Sequence, residues 1–203
     1  MQDVSEADLI SRSKQGNLSA FNRLVENYQD RVYNVALRML GDSATAEDIT
    51  QDTFISVFKS ISHFRGGSFQ AWILRITTNR CYDELRSKHR HPTSSLDQLD
   101  SSGRTLIEPV DGATSPEDQV LQEELAQTVE KGLTAIPAEQ RLVLILSDIQ
   151  GFSYEEISQV IGRPVGTVKS RLSRARSELR DYLLEQRELL PSQYRLTSKA
   201  VEG

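Results

Sequence analysis

Hydrophobic residues recur three or four positions apart along most of the chain, which is the spacing of one face of an α-helix. The longest such segment lies between Asn17 and Gly41. Asparagine is a favoured N-cap and glycine a favoured C-cap, so both ends of this helix are marked. We see no convincing alternation of apolar and polar residues of the kind that marks a strand. The pattern therefore predicts an all-α protein.

Three more helices are expected in the first 90 residues. Ser5 resembles the start of a capping box for a short first helix, which Gly16 closes. Ser43 is expected to open a third helix and Ser68 to cap a fourth. The apolar positions of the third helix predict its buried side, namely Ile49, Thr53, Phe54, Val57, Phe58 and Ile61.

The helical pattern stops in the middle of the chain. Residues 92–116 are rich in Ser, Thr, Asp, Gly and Pro, a composition typical of a flexible linker. Helices resume after it and restart at Pro137, a favoured first helical position. We therefore expect two small helical domains, residues 1–91 and 117–190, and a disordered tail at 191–203.

The second domain contains the most informative local pattern, two short helical segments separated by Gly162-Arg163-Pro164. Proline cannot continue a helix, so one helix must end and another begin there. After the break one face is apolar, and the other faces carry cations and hydroxyls. This is typical of the recognition helix of a helix-turn-helix, which fits the DNA major groove. The alternative is a solvated, charged helix. The apolar stripe consists of Val168, Leu172, Ala175, Leu179 and Leu183.

The charge distribution refines this picture. The chain has a net charge of −5, which by itself argues against a nucleic-acid binder. However, residues 61–91 carry a balance of +4 and residues 163–180 one of +5, whereas residues 92–136 between them carry −7. Two basic regions separated by an acidic one indicate two DNA contacts. The low total charge predicts weak DNA binding by the chain alone.

Several classes of protein are disfavoured by composition. The only cysteine, Cys81, excludes an internal disulfide framework and fits a reducing cytoplasm. No segment has the roughly 20 apolar residues of a membrane span, and the N-terminus lacks a signal-peptide layout. Without a Gly-rich phosphate loop, a Cys/His pairing or a metal-ligand cluster, we expect no enzyme, no cofactor, no metal and no small-molecule substrate. His89 and His91 lie in a basic run and are expected to be solvated or to face phosphates.

Two further segments precede the helix-turn-helix, ATAEDITQDTFISVFKSI at 44–61 and FRGGSFQAWILRITTNRCYDELR at 64–86. In this order the three segments resemble regions two and four of a bacterial RNA polymerase sigma factor, of the small extracytoplasmic-function (ECF) class in the sigma-70 family. The resemblance implies a cytoplasmic, non-catalytic subunit that binds core RNA polymerase and directs initiation at −10 and −35 promoter elements. It also implies an anti-sigma factor as partner. The alternative is a stand-alone helix-turn-helix regulator that binds duplex DNA without polymerase.

On the third helix, Asp48, Gln51 and Asp52 project away from the apolar side. A carboxylate–amide–carboxylate cluster can accept charge-assisted hydrogen bonds from a basic helix of another protein. The resemblance implies that this face docks on the arginine-rich coiled coil of the polymerase clamp. An ordinary solvated helix face is the alternative.

On the fourth helix, polar residues separate from a core side that includes Leu74 and Cys81. Asn79 is the best candidate for reading a base, because an amide offers both donors and acceptors to an unpaired base edge. The resemblance implies that this helix captures a flipped base of the −10 element. For Trp72 a place in the core is an equal expectation. The −10 candidates are Phe64, Arg65, Trp72, Arg75, Asn79, Tyr82 and Arg86.

On the recognition helix, the resemblance places four residues against the −35 element: Lys169, Ser170, Ser173 and Arg174. Arg163 and Thr167 are suited to phosphates at the start of this helix. Arg171 is a further −35 candidate, for a phosphate contact or for solvation.

Overall fold

The computed structural model describes residues 5–90 and 116–186, with side chains from residue 124 onward in the second range. Within these ranges all regular structure is helical, which confirms the all-α prediction. The predicted linker, apart from Pro116, and the predicted tail lie outside the described residues. The helices are α1 (Glu6–Lys14), α2 (Leu18–Leu40), α3 (Ser43–Ser60), α4 (Phe69–Arg90), α5 (Pro116–Ala135), α6 (Ala138–Leu144), α7 (Tyr154–Ile161) and α8 (Val165–Glu185). A 3-10 turn at Ile61–His63 follows α3, and a π-helical turn at Ile145–Ile149 follows α6.

The ends of α2 and α3 follow from their capping residues. The Asn17 side chain accepts a hydrogen bond from the Ala20 amide at 2.9 Å, and Gly41 ends α2 with a φ of +72°. Both caps were predicted from the sequence. Helix α3 begins at Ser43 as expected, but its cap is Asp42, whose carboxylate accepts from the Thr45 amide at 2.9 Å.

Helices α1 to α4 form the N-terminal domain around a core in which α2 contributes fully buried Val32, Val35 and Met39. The predicted buried side of α3 is confirmed for its other members but wrong for Phe58, which is 43 % exposed. Phe58 lies at the rim of the core, and its ring meets that of Phe21 edge-on at 5.0 Å. The helical spacing of Phe58 predicts which side of α3 it lies on, but not how deeply its side chain is buried.

Helices α5 to α8 form the C-terminal domain around Leu142 to Leu146, all buried. The predicted stripe of α8 is confirmed: Val168, Leu172 and Ala175 are buried, and its last two members are half-buried. Gly162 ends α7 with a φ of +63°, and α8 begins directly after Pro164. The two helices therefore have the helix-turn-helix arrangement that the sequence predicts.

The two domains also pack directly on each other. Helix α2 contacts α5, α6 and the π-helical turn, and α4 contacts α7, so buried side chains of both domains form one continuous apolar cluster. The sequence predicted both domains but not this contact, because helical periodicity shows which face is apolar and not which partner covers it.

Candidate nucleic-acid and protein interfaces

The polar face of α3 is open to solvent. Asp48, Gln51 and Asp52 are all exposed, on the side away from buried Ile49 and Phe54. Asp52 also accepts a hydrogen bond from Arg80 of α4, with 2.7 Å between its Oδ2 and the arginine Nη1. This contact orients one carboxylate of the face, and it leaves Asp48 and Gln51 directed to solvent.

Helix α4 separates its two sides as predicted. Ile73, Leu74 and Cys81 are fully buried, whereas Arg75 and Asn79 are exposed on the other side. Arg86, one turn beyond Tyr82, is exposed and paired with Asp83 at 2.9 Å. A pair this exposed contributes at most about 1 kcal/mol, so it leaves Arg86 available to another anion.

The loop before α4 differs from the sequence expectation at Phe64. That side chain is only 7 % exposed, because the 3-10 turn directs it inward against Phe69 and Trp72, with ring centroids 5.3 and 5.2 Å away. The Lys14 ammonium also donates to the Phe64 carbonyl at 2.6 Å. A DNA contact by Phe64 does not fit this burial. Trp72 is half-buried in the same aromatic cluster, and Arg65 is exposed.

Tyr82 lies where α4 meets the C-terminal domain. Its half-buried side chain lines a cleft with Glu139 and Arg171. Burial, with a smaller contribution from the Glu139 charge, raises the pKa of Tyr82 to about 12. The phenol stays neutral at physiological pH, so it can donate a hydrogen bond.

Helix α8 presents a polar side opposite its buried stripe. Four of its −35 candidates are exposed there, namely Lys169, Ser170, Ser173 and Arg174. Arg163 is exposed at the turn and Thr167 is half-buried in the first turn of α8. Arg163 and Thr167 thus lie at the N-terminal end of α8, and the other four candidates lie along its exposed side.

Arg171 and Arg176 are held by acidic residues of the same domain. Arg171, with a side chain 18 % exposed, pairs with Glu139 of α6. Arg176 makes two hydrogen bonds to Asp148, at 2.6 and 2.8 Å, and this contact lowers the pKa of the Asp148 carboxyl. Both arginines therefore fasten α8 to its own domain in this structure.

The α4 and α8 candidates lie across a shared boundary. Arg75, Asn79 and Tyr82 line one interdomain cleft of about 170 Å³ together with Arg163 and Arg171. A wider cleft of about 1170 Å³ beside it is lined by both basic and acidic side chains. The basic ones include Arg86, His89, Arg90 and Arg174, and the acidic ones are Asp83 and Glu139. The predicted DNA-contacting residues of the two domains therefore face one another.

The described part of the chain contains neither a metal-binding cluster nor a membrane-spanning helix. No group of three or more His, Cys, Asp or Glu residues there is arranged to hold a metal ion. None of the described helices combines the length and apolar character of a membrane span.

Comparison with known proteins matches the two domains separately. The family pattern for sigma-70 region 2 matches residues 24–91, and that for sigma-70 region 4 matches residues 127–179. Together they cover more than half of the chain, in the order that the sequence resemblance predicted.

Curated relatives support the same assignment. The ECF RNA polymerase sigma factor SigE of Mycolicibacterium smegmatis is 38% identical over 83% of this chain and 63% of its own length, so the chain spans less than two thirds of that relative. SigW of Bacillus subtilis is 35% identical over 86% of this chain and 94% of its own length. The sigma-E factor of Escherichia coli K12 is 34% identical over 88% and 94%.

Solved structures share the fold. The sigma factor RpoE of Bartonella quintana, in complex with the anti-sigma factor NepR, has a TM-score of 0.60 and 27% identity, over 80% of this chain and 96% of its own. CnrH, in complex with the cytosolic domain of CnrY, has a TM-score of 0.63 over 89% and 97% of the two chains, at 24% identity. With both regions matched in order and relatives above 30% identity along most of its length, this chain belongs to the ECF class of sigma-70 family RNA polymerase sigma factors.

Proposed function

We propose that three exposed helix faces divide the work of promoter-specific initiation: α3 docks on core RNA polymerase, α4 binds the −10 element and α8 binds the −35 element. The observation that carries this assignment is that each face is polar and exposed while the opposite side of the same helix is buried. Such helices can bind a partner without losing their place in the core. The chain then acts by binding alone, in the cytoplasm, where polymerase and DNA are found.

The docking face is assigned from its charge. Asp48, Gln51 and Asp52 offer oxygen acceptors along one side of α3, and these suit the guanidinium groups of a basic helix. Arg80 already orients the Asp52 side chain, so less side-chain conformational entropy is lost when this face docks.

Asp48→Arg tests this face. The substitution places a cation against a basic partner, so affinity for core polymerase should fall by at least about tenfold, or about 1.4 kcal/mol. Fluorescence anisotropy with purified core enzyme measures the change. Glu26→Arg, at an exposed position of α2, is the charge-matched control and should leave affinity unchanged. Equal affinity for the Asp48 variant and the control contradicts the assignment of α3.

The −10 assignment rests on Asn79 and its neighbours on α4. An exposed amide flanked by Arg75 and by the neutral phenol of Tyr82 provides base-edge hydrogen bonds, phosphate contacts and a stacking surface within about two turns of the helix. A flipped base bound there stabilises the opened strand without nucleotide hydrolysis.

A further partner is assigned by similarity. The Bartonella quintana relative is solved with its anti-sigma factor NepR, and we propose that this chain is also controlled by an anti-sigma protein. The alternative of a stand-alone helix-turn-helix regulator is not favoured, since such a protein has no need of the region 2 domain matched over residues 24–91.

A further inference from the structure

Tyr154 is the first residue of α7, and its position is fixed by its own domain. It follows the capping box directly: the Ser153 amide donates to Glu156 Oε2 at 2.9 Å, and the Glu156 amide donates to Ser153 Oγ at 3.3 Å. The tyrosine side chain is half-buried and packs against the apolar core. Both the backbone and the ring of Tyr154 are therefore held before any DNA is bound.

The Tyr154 side chain interacts with two cations of the recognition helix. The Lys169 ammonium lies 5.9 Å from the centre of the Tyr154 ring, within the distance of about 6 Å that marks a cation–π contact. Asp148 and, to a smaller extent, Tyr154 raise the pKa of Arg176, so the tyrosine also interacts with that guanidinium. Lys169 and Arg176 are separated by about two turns of α8, so Tyr154 lies alongside this helix.

Lys169 is held in a different way from its arginine neighbours. Arg171 and Arg176 are bound by carboxylates, which accept their N–H donors and compensate their charge. An aromatic ring attracts an ammonium group but carries no net charge and takes up no carboxylate acceptor. Lys169 is therefore oriented by Tyr154 while its charge and its donors stay available, and its side chain is exposed.

Orientation matters more for a base contact than for a phosphate contact. A lysine has a flexible four-carbon stem, and ordering it on binding costs conformational entropy. A contact to a phosphate depends on charge near the DNA backbone, whereas a contact to a base edge needs a donor at one defined place in the groove. A lysine that is already directed by a ring is thus suited to a base edge.

We propose that Tyr154 is a positioning residue that directs Lys169 to a base edge of the −35 element. Lys169 then contributes to the sequence preference of the chain, and Tyr154 acts through it without contacting the base. The base must present acceptors in the major groove, as guanine does with O6 and N7. The proposal rests on the proposed function, because it takes α8 as the −35-binding helix.

Transcription from a promoter library with randomised −35 positions tests the proposal. Core polymerase carrying the full-length chain transcribes the whole library in one reaction, and sequenced transcripts give the preference at each position as a ratio of yields. Such a ratio does not depend on the fraction of the chain that is folded, because all promoters compete for the same protein. Lys169→Met removes the ammonium but keeps an unbranched stem, so it identifies the position that Lys169 reads.

Tyr154→Leu should lower the preference at that same position by about two- to fivefold, the change that corresponds to a cation–π contact at an exposed site. The other −35 positions should keep their preferences. Tyr154→Phe retains the ring and should therefore retain the wild-type preference. In the Lys169→Met background, Tyr154→Leu should change no position further, because a positioning residue acts only through the side chain that it directs.

Three results would each overturn the proposal. The first is an equal loss of yield on every −35 sequence in Tyr154→Leu, with unchanged preferences. The second is a change at a position other than the one that Lys169→Met identifies. The third is an equal loss of preference in Tyr154→Phe and Tyr154→Leu, which would assign the effect to the hydroxyl group and not to the ring.

The same library separates this proposal from the proposed function. If Lys169→Met changes no preference while Arg174→Ala changes one, α8 binds the −35 element and only the role of Tyr154 and Lys169 is refuted. If Lys169→Met, Ser170→Ala and Arg174→Ala all leave preferences and yields unchanged, the assignment of α8 to the −35 element fails.

Discussion

The arginines on the surface of α8 look alike in the sequence but differ in their contacts in the structure. Arg171 and Arg176 are paired with Glu139 and Asp148 of the same domain, whereas Arg174 lies exposed between them. Position along the helix predicted which side each occupies, but their acidic partners are about 30 residues away in the chain. The sequence therefore predicts which side of α8 carries the cations. It does not predict which of these three arginines are paired with acidic residues of the same domain.

Arg174→Ala is the residue-scale prediction. If Arg174 makes a bidentate contact to guanine, its loss should cost about 1–3 kcal/mol and relax the preference at one position of the −35 element. Run-off transcription over a set of −35 variants measures this effect. Ser177→Ala, further along the same helix, is the control. An equal loss on every promoter sequence would show a phosphate contact and contradict base reading by Arg174.

Element ends were the most predictable part of the fold, because each is set by a local side chain. Four residues cap or end a helix as the sequence predicts, namely Asn17, Gly41, Ser68 and Gly162. One signal was missed, although the sequence carries it: Ser153 and Glu156 form a reciprocal capping box at the start of α7. The inward turn of Phe64 was not predictable in this way, since it depends on packing against residues of α1 and α4.

Asp148→Asn is the element-scale prediction, because Asp148 joins the π-helical turn to Arg176 of α8. The hydrogen bonds from Arg176 lower the Asp148 pKa below its ordinary value of 3.8. A lowered folded-state pKa contributes stability that is present above the ordinary pKa and is lost as the pH falls through the folded value. Both side chains are partly exposed, so wild type should exceed the variant by only about 0.3–1 kcal/mol in free energy of unfolding near neutral pH.

Urea denaturation near neutral pH and in acid measures this difference, which should shrink as the pH falls below the ordinary pKa of the carboxyl. Asp181→Asn is the control on α8, because its ion pair with Arg180 joins neighbours in sequence and connects no two elements. A difference between wild type and the Asp148 variant that persists or grows in acid would contradict the stated cause.

At the scale of the whole molecule, the sequence predicted two helical domains and the family, and the direct contact between the domains emerged only from the structure. Arg141 shows why. In the sequence it is one cation before an apolar run, and its burial against the Met39 carbonyl joins residues 102 positions apart. A contact of that kind has no local pattern, so no capping or periodicity argument finds it.

The central claim is that the chain reads two separated promoter elements only when it is bound to core polymerase. Mapping transcript starts made in vitro on genomic DNA, by core polymerase with and without the purified chain, tests it most directly. We predict new, chain-dependent starts that share two sequence blocks at one fixed spacing, and no specific footprint by the chain alone. Unchanged starts together with a footprint of the free chain on a compact palindrome would contradict the claim.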